Sequence, residues 1–247
     1  DASVILRPLL SDQGLPFDPS KFAYLGSASS DAYFCIVRAD APVTTFQEAL
    51  SQPIILGTTA VGSRAHDFPA MVNNVLGTKF RLVAGYAGTR ELSLAIENRE
   101  VQGMCGLSWS TLTAQHPDWL ARGFVRVFVQ EDMNGRPELN RMGVPLAITF
   151  ARTEDERRIM ELFYSQNLFG RPLAAPQGVP ADRLAALRAA FVSVTGAREL
   201  LADAAKVGLD IGPVSGDDVQ SVVTKLYGFP ANIIERAKWA VVYRPPT

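Results

Sequence analysis

Two spacings of apolar residues alternate along the chain: short continuous runs, and longer stretches in which apolar residues recur every three or four positions. The short runs, several of them rich in β-branched residues, predict strands; they lie at 22–25, 33–37, 54–57, 80–84, 101–105, 124–130 and 210–211. The longer stretches predict helices; they lie at 64–76, 90–98 and 108–116, and in several segments after Thr153. This alternation predicts an α/β fold with mostly parallel sheets.

One unit occurs twice between residues 54 and 98: a short apolar run, a turn of small residues, and then a helix. Ser63 follows the first turn and Thr89 follows the second, each at a predicted helix N-cap. Two such turns would place backbone N–H groups and the positive ends of two helices at one edge of a parallel sheet. Open α/β sheets bind ligands at this edge. The sequence therefore predicts a backbone site for a small carboxylate or a similar anion.

The composition permits a large core and excludes two classes of function. Apolar residues make up 47% of the 247 residues, which argues against disorder. Lys and Arg total 24 against 25 Asp and Glu, so there is no excess of positive charge to indicate nucleic-acid binding. No apolar run approaches the length that crosses a bilayer.

The two cysteines, Cys35 and Cys105, lie in apolar runs and lack the spacing of metal ligands. The preferred interpretation is two buried free thiols. A disulfide between them is the alternative, and two cysteines alone do not identify the compartment.

The order of segments resembles the tripartite tricarboxylate transporter substrate-binding proteins, also called the Bug family. The segments that carry the resemblance are Phe17-Asp18-Pro19 with Phe22, Gly26-Ser27, Cys35 to Val37 with Pro42-Val43, Gly57 to His66, Tyr86-Ala87-Gly88, Val101-Gln102, and Ala175 to Arg183. Each segment is a weak signal alone, but their order and spacing cover nearly the whole chain.

The resemblance implies a type 2 periplasmic-binding-protein fold, with two α/β lobes and a ligand cleft between them. Residues 1–42 and 168–247 would form lobe one, and residues 43–167 would form lobe two with the anion-binding turns. The implied partners are a small carboxylate ligand and membrane transporter subunits, with no nucleic acid and no cofactor or metal. The implied location is the periplasm, and such receptors usually act as monomers.

The sequence departs from the family pattern in three respects. Residues 1–6 show no signal peptide and no starting Met, and the first strands of lobe one are not found. We therefore expect that the natural beginning of the protein, with one wall of the site, precedes Asp1. In addition, Ala87-Gly88 stands where two glycines are common, and Gln102 stands where Asp is frequent.

The candidate ligand-binding residues come from the two turns and from the strand end beside them. They are Thr58, Thr59, Gly62, Ser63 and His66 in the first turn, Ala87, Gly88 and Thr89 in the second, and Ser108 after the next strand. A carboxylate in a closed cleft needs hydrogen bonds to its oxygens, and backbone N–H groups with small hydroxyls provide them without bulk. Arg64 and Arg90 occupy first turns of helices, where the dipole disfavours cations. Pairing with an anionic ligand would explain this placement, but solvated arginines are the preferred interpretation.

Two enzyme hypotheses are weaker. The spacing from Gly57 to Ser63 matches a P-loop, but the Lys that reaches the terminal phosphates is missing. A thiol–imidazole pair would need Cys35 or Cys105 beside His66 or His116, yet both cysteines lie inside strand-like runs. The sequence therefore favours a solute-binding receptor over an enzyme, with an enzyme or ligand sensor on the same two-lobed fold as the alternative.

Overall fold

The structure is a computed structural model that describes residues 3–10, 17–206 and 211–245. Its strands are β1 (Ala23–Ser27), β2 (Tyr33–Arg38), β3 (Ile54–Thr58), β4 (Phe80–Ala84), β5 (Gly103–Ser108), β6 (Val125–Gln130), β7 (Pro172–Ala175) and β8 (Val214–Ser215). Its α-helices are α1 (Ser3–Leu10), α2 (Arg64–Leu76), α3 (Thr89–Glu97), α4 (Trp109–Gln115), α5 (Pro137–Arg141), α6 (Glu154–Tyr164), α7 (Ala181–Thr195), α8 (Arg198–Lys206), α9 (Gly216–Tyr227) and α10 (Ala231–Ala240). In the described part of the chain, no helix has the length and apolar character to cross a membrane.

The chain divides into two compact units, which are described separately. Unit 1 contains residues 1–31 and 165–231, and unit 2 contains residues 32–164 and 232–247. The predicted lobes differ from this division in three places. Residues 32–42 and 232–247 lie in unit 2 rather than with the other residues predicted for lobe one, and residues 165–167 lie in unit 1.

Unit 1 contains a small antiparallel sheet with the strand order β7-β1-β8. Helix α9 packs on it with the buried side chains Val219, Val223 and Leu226, which follow helical spacing. Ser215 is the N-cap of this helix, and its hydroxyl accepts the N–H of Asp218. Of the strand predicted at 210–211, Asp210 lies outside the described residues, and Ile211 is not in a strand.

Unit 2 contains a five-stranded sheet with the order β4-β3-β5-β2-β6. Strands β3, β4 and β5 are parallel to one another, whereas β2 runs antiparallel to both of its neighbours, β5 and β6. The prediction of mostly parallel sheets is therefore wrong for the β2 pairings and for unit 1. Strand β2 is nearly all buried, so its apolar sequence fits a central position whatever its direction.

Helix packing on the large sheet depends on two local features. Gly77, in the left-handed conformation at φ 81°, ends α2, as glycine commonly does at a helix C-terminus. A Cβ on Gly57 would lie 2.7 Å from Leu92 Cδ2, so glycine at this position of β3 leaves room for the Leu92 side chain of α3. Phe34, Ile36 and Trp119 belong to the same buried cluster as Leu92.

Candidate functional site

The two predicted turns are neighbours at the carboxyl ends of parallel strands. In the register of β3 and β4, Thr58 is the partner of Ala84, so both strands end at the same level. The N–H of Tyr86 then donates to the carbonyl of Thr58 across 3.4 Å and joins the turns. Backbone at the tips of both turns, including Gly62 and Ala87, is exposed. This arrangement gives the pair of exposed backbone turns that the sequence predicted, at one sheet edge.

The first turn is held by bonds within the chain. The hydroxyls of Thr59 and Ser63 lie 2.6 Å apart, and the N–H of Ser63 donates to the carbonyl of Ala60 at 3.1 Å. The N–H of Gly62 donates to Oδ1 of Asp67 at 3.0 Å. A carboxylate of the protein itself therefore occupies one N–H group that the sequence assigned to an anionic ligand. The Thr58 side chain is fully buried below the turn.

His66 faces the interior of unit 2. Its side chain belongs to a residue that is only 4% exposed, and Nδ1 lies 3.0 Å from Oδ1 of Asp67. The ring also meets the edge of the Tyr243 ring, with the centroids 6.4 Å apart. The structure thus places His66 beside the carboxylate that binds Gly62, rather than at the surface of the turn.

The second turn keeps more of its N–H groups available. Gly88 is the N-cap of α3, and Thr89 is its first residue, so the N-cap predicted at Thr89 is wrong by one position. Within the described residues, the N–H groups of Ala87, Gly88 and Thr89 make no hydrogen bond. Ala87 is exposed, and these three donors lie at the positive end of α3. They are the donors best placed to meet an anion.

Ser108 ends β5 at the same sheet edge, but its hydroxyl already has hydrogen-bond partners within the protein. It is the N-cap of α4, where its hydroxyl accepts the N–H of Thr111 at 3.2 Å. The residue is 7% exposed. Trp109 is partly buried and packs edge-on against Phe34. Ser108 thus shapes the edge through its helix cap.

The two candidate arginines have different surroundings. The guanidinium of Arg64 lies over the ring of Tyr33, with its Cζ 3.8 Å from the ring centre, in a cation–π arrangement. Arg90 is exposed in the first turn of α3, beside the second turn. Only Arg90 is therefore both exposed and next to the N–H groups of the second turn.

The cysteines form a disulfide, so the preferred interpretation of free thiols is wrong. Cys35 in β2 and Cys105 in β5 lie on adjacent antiparallel strands, with their Cα atoms 3.9 Å apart. The register of β2 against both neighbours shifts at this position, which brings the two side chains together. A disulfide offers no thiolate, so the thiol–imidazole hypothesis does not hold for this structure.

The second histidine has a structural environment as well. Nε2 of His116 lies 2.8 Å from the hydroxyl of Ser93, and the ring stacks on Trp119 with the centroids 3.7 Å apart. Burial lowers the pKa of His116, against the charges of Glu97 and Asp118. Ser93 is itself buried on α3, where a substrate has no approach to the hydroxyl.

Glu131 is a buried acid that the sequence analysis missed, because it lies one residue beyond the strand predicted at 124–130. Its Oε1 accepts the N–H of Gly106 at 2.5 Å and lies 3.6 Å from Sγ of Cys35. Burial raises the pKa of Glu131 to about 8, although Arg64 and the Gly106 N–H act in the opposite direction. Glu131 therefore holds a proton at neutral pH. In the sequence, its position directly after an apolar strand was the feature that could have indicated a buried acid.

Gln102 also has a role that the sequence did not reveal. Its N–H donates to the carbonyl of Ile55 at 2.8 Å, and its Oε1 accepts the N–H of Ile55 at 2.7 Å. The side chain thus acts as an extra strand partner for β3.

Comparison with solved structures finds periplasmic solute-binding proteins. A TctC solute-binding protein from Polaromonas, solved without ligand, has a TM-score of 0.64 at 18% identity, over 90% of this chain and 72% of that one. Rpa4515 of R. palustris, solved with adipate, has a TM-score of 0.62 at 17% identity, over 97% of this chain and 75% of that one. The periplasmic binding protein BugD has a TM-score of 0.64 at 18% identity, over 98% of this chain and 77% of that one.

These similarities show the fold. The chain has the α/β fold of periplasmic solute-binding proteins of the TctC and Bug type, which confirms the fold predicted from the order of segments. No protein-family model and no curated protein matches the sequence.

Proposed function

We propose that the protein is an extracytoplasmic receptor that captures a small carboxylate and delivers it to a membrane transporter of the tripartite tricarboxylate type. The proposal combines the fold with the geometry of the sheet edge in unit 2. It treats the protein as a binding protein, acting as a monomer in the periplasm, without catalysis and without a cofactor.

The observation that carries the proposal is the pair of turns at the ends of β3 and β4. They end in register and are joined by the bond from Tyr86 to Thr58. The second turn presents the N–H groups of Ala87, Gly88 and Thr89 at the positive end of a helix. A carboxylate oxygen accepts two or more such donors, and backbone N–H groups hold it without a competing counter-ion. The neighbour solved with adipate is bound to a molecule of this chemical class.

Capture would follow the mechanism of hinged binding proteins. The carboxylate first meets the exposed turns of unit 2, and closure of a second surface over it then removes water and strengthens the hydrogen bonds. The closed, loaded receptor is the form that a transporter recognises. Since the N–H of Gly62 already has an internal carboxylate partner, Asp67, we expect the second turn to contribute more to affinity than the first.

The test is a thermal-shift and calorimetric screen with succinate, malate, adipate and citrate. An acid at about 100 times its dissociation constant stabilises the folded state by about 2.7 kcal/mol, which raises the melting temperature by roughly 5–10 °C. The proposal predicts such a shift for at least one of the four acids, and predicts that the acid is recovered unchanged. No shift with any acid, in a folded protein, contradicts the proposal.

Two variants with matched controls locate the site. Gly88→Val should abolish the shift, because its side chain covers the second turn, while a Cβ there meets only Oε2 of Glu91 at 3.4 Å. Gly196→Val in unit 1, where a Cβ also meets its nearest atom at 3.4 Å, should leave the shift unchanged.

Ser63→Ala should reduce the thermal shift moderately, because the substitution removes the hydroxyl that pairs with Thr59. The exposed Ser51→Ala, which loses one bond to Glu48, is its control.

The transporter step needs a test in cells. Deleting the gene should reduce uptake of the acid that the screen identifies, and restoring the wild-type gene, but not the Gly88→Val gene, should recover it. Fractionation of the same cells tests the periplasmic location, and light scattering of the purified protein tests the monomer.

A further inference from the structure

A buried group lies directly beneath the anion-binding edge of unit 2. It contains the disulfide of Cys35 and Cys105 and the side chain of Glu131, all at 1% exposure or less. The N–H of Glu131 donates to the carbonyl of Tyr33 at 2.8 Å, and its Oε1 accepts the N–H of Gly106 at 2.5 Å. The first bond fixes the backbone of Glu131 beside β2, and the second fixes its carboxyl group against the backbone of β5.

Gly106 connects this carboxyl group to the first turn. It follows Cys105 in β5 with φ at +71°, a conformation that favours glycine. A Cβ at this position would lie 2.8 Å from the backbone nitrogen of Ala65 and 2.9 Å from the carbonyl carbon of Arg64. The backbone of Gly106 therefore touches the first residues of α2, the helix that begins directly after Gly62 and Ser63.

The groups that face Glu131 come from several elements. Arg64 on α2 acts on it electrostatically, and Tyr164 on α6 and Asp132, the next residue, belong to the same set of interacting charges. The sulfurs of Cys35 and Cys105 do not titrate while they are bonded to each other. Burial dominates this set and keeps the carboxyl group protonated at neutral pH, with its pKa raised to about 8.

We propose that Glu131 is a positioning residue for the first turn, that it acts in its protonated form through Gly106, and that carboxylate binding weakens when Glu131 ionises. The second half of this inference rests on the proposed function. A neutral carboxyl group accepts the Gly106 N–H and adds no charge. An ionised one places a negative charge behind the turns, where it repels an anionic ligand and offsets the positive end of α2.

Linkage gives the direction in which the affinity for a carboxylate changes with pH. Between about pH 6.5 and pH 8 Glu131 is protonated, and the affinity for succinate, malate or adipate is constant because these acids are fully ionised in this range. As the pH rises through the Glu131 pKa, the affinity falls, and it levels off once Glu131 is ionised. Because the coupling is reciprocal, a bound carboxylate raises the pKa of Glu131 further.

The first experiment needs no ligand. Amide resonances of Gly106 and Ala65 are followed by NMR from pH 6 to pH 10, together with the ¹³C resonance of the Glu131 side-chain carboxyl. The inference predicts one common midpoint for all three in the wild-type protein, and no such transition at Gly106 or Ala65 in Glu131→Gln. A carboxyl group that titrates near pH 4.5, or amides that do not follow it, overturns the positioning role. The wild-type titration decides this point even where Glu131→Gln does not fold.

The second experiment measures the dissociation constant of the tightest-binding acid among succinate, malate and adipate at pH 6.5 and pH 9.5. For wild type we expect the dissociation constant to rise about tenfold, and for Glu131→Gln we expect wild-type affinity at pH 6.5 with little change at pH 9.5. If the dissociation constants of wild type and Glu131→Gln change with pH in parallel, the proposed coupling between Glu131 ionisation and carboxylate binding is wrong. Failure of all four acids of the thermal-shift screen to bind at pH 6.5 contradicts the proposed function instead, and the ligand-free titration still decides whether Glu131 positions Gly106.

Discussion

At the scale of single residues, some N–H groups of the candidate site already donate to acceptors within the protein. The remaining N–H groups are the ones that a ligand can use. Asp67 lies in α2 one turn from its start and returns to accept the Gly62 N–H at 3.0 Å. This contact resembles a helix cap, and an acid in the first turn also interacts favourably with the helix dipole. The same carboxylate is a negative charge beside the first turn, where it opposes an anionic ligand. Stability and binding therefore place opposite demands on this residue.

Asp67→Asn separates these two effects, because Asn keeps an acceptor for Gly62 and removes the charge. We expect affinity for a carboxylate to rise about fivefold, equivalent to about 1 kcal/mol of repulsion removed. The free energy of unfolding should fall by about 0.3–1 kcal/mol, since the charge no longer complements the helix. Calorimetry and urea unfolding measure the two changes.

The control is Asp182→Asn, another acid in the first turn of a helix, in unit 1. It should lower stability by a similar amount without changing affinity. A loss of affinity in Asp67→Asn would contradict the prediction and would mean that Asp67 accepts a donor from the ligand.

At the scale of elements, the contact between β5 and α2 sets the geometry of the sheet edge. Gly106 and Gly143 have nearly the same backbone conformation, with φ at 71° and 74°. Their surroundings differ, because a Cβ on Gly106 meets the backbone of Arg64 and Ala65, whereas a Cβ on Gly143 meets nothing within 4 Å. This pair distinguishes the cost of conformation from the cost of the contact.

Gly143→Ala should cost about 1–2 kcal/mol of unfolding free energy, which is the penalty for an L-residue in the left-handed region. Gly106→Ala should cost clearly more and should also weaken carboxylate binding, since the start of α2 must move away. Urea unfolding and calorimetry of both variants provide the measurement. Equal losses of unfolding free energy in the two variants, with unchanged binding, would show that the contact with α2 contributes neither to stability nor to affinity.

The helices and strands also show how much of the fold could be predicted from the sequence. Helix α2 was expected at 64–76 and strand β4 at 80–84, and the structure has Arg64–Leu76 and Phe80–Ala84. Periodicity and a glycine stop signal are local properties, so they appear in a short window of sequence. The sheet to which β2 belongs is not local. Its partners β5 and β6 follow about 70 and 90 residues later, and an apolar run carries no information about direction or neighbour.

The candidate site shows the same limit. The backbone turns were predictable because small residues after an apolar run indicate them. The partners of those turns were not, because Asp67, Glu131 and Gln102 act through contacts that depend on the folded backbone. The disulfide was left open for a similar reason, since the distance between Cys35 and Cys105 is fixed only when β2 pairs with β5.

At the scale of the whole molecule, the chain passes between the two units three times, and its end returns to unit 2. The side chain of Asn74 donates to the carbonyls of Ala240 and Val242, and the Tyr243 hydroxyl accepts the N–H of Leu82 on β4. The C-terminal residues thus contact α2 and the edge strand that carries the second turn. Unit 2 also contains all three tryptophans, Trp109, Trp119 and Trp239, so tryptophan fluorescence reports the unfolding of this unit.

The stability of unit 2 should depend on pH through Glu131. Burial raises its pKa from an ordinary value of 4.5 to about 8, so between these values the folded state holds a proton that the unfolded state has lost. The resulting stabilisation is complete below about pH 4.5, declines by about 1.4 kcal/mol per pH unit above it, and is exhausted above about pH 8.

Glu131→Gln cannot titrate, so its stability should lack this decline. Other acids contribute to both proteins, and the difference between wild type and Glu131→Gln isolates the one group. Urea unfolding followed by tryptophan fluorescence, from pH 5.5 to pH 9, should give a wild-type free energy that falls relative to the variant up to about pH 8 and runs parallel to it beyond that. Parallel curves over the whole range would mean that Glu131 is already ionised in the folded protein, and the buried carboxylate would then need a compensating charge such as Arg64.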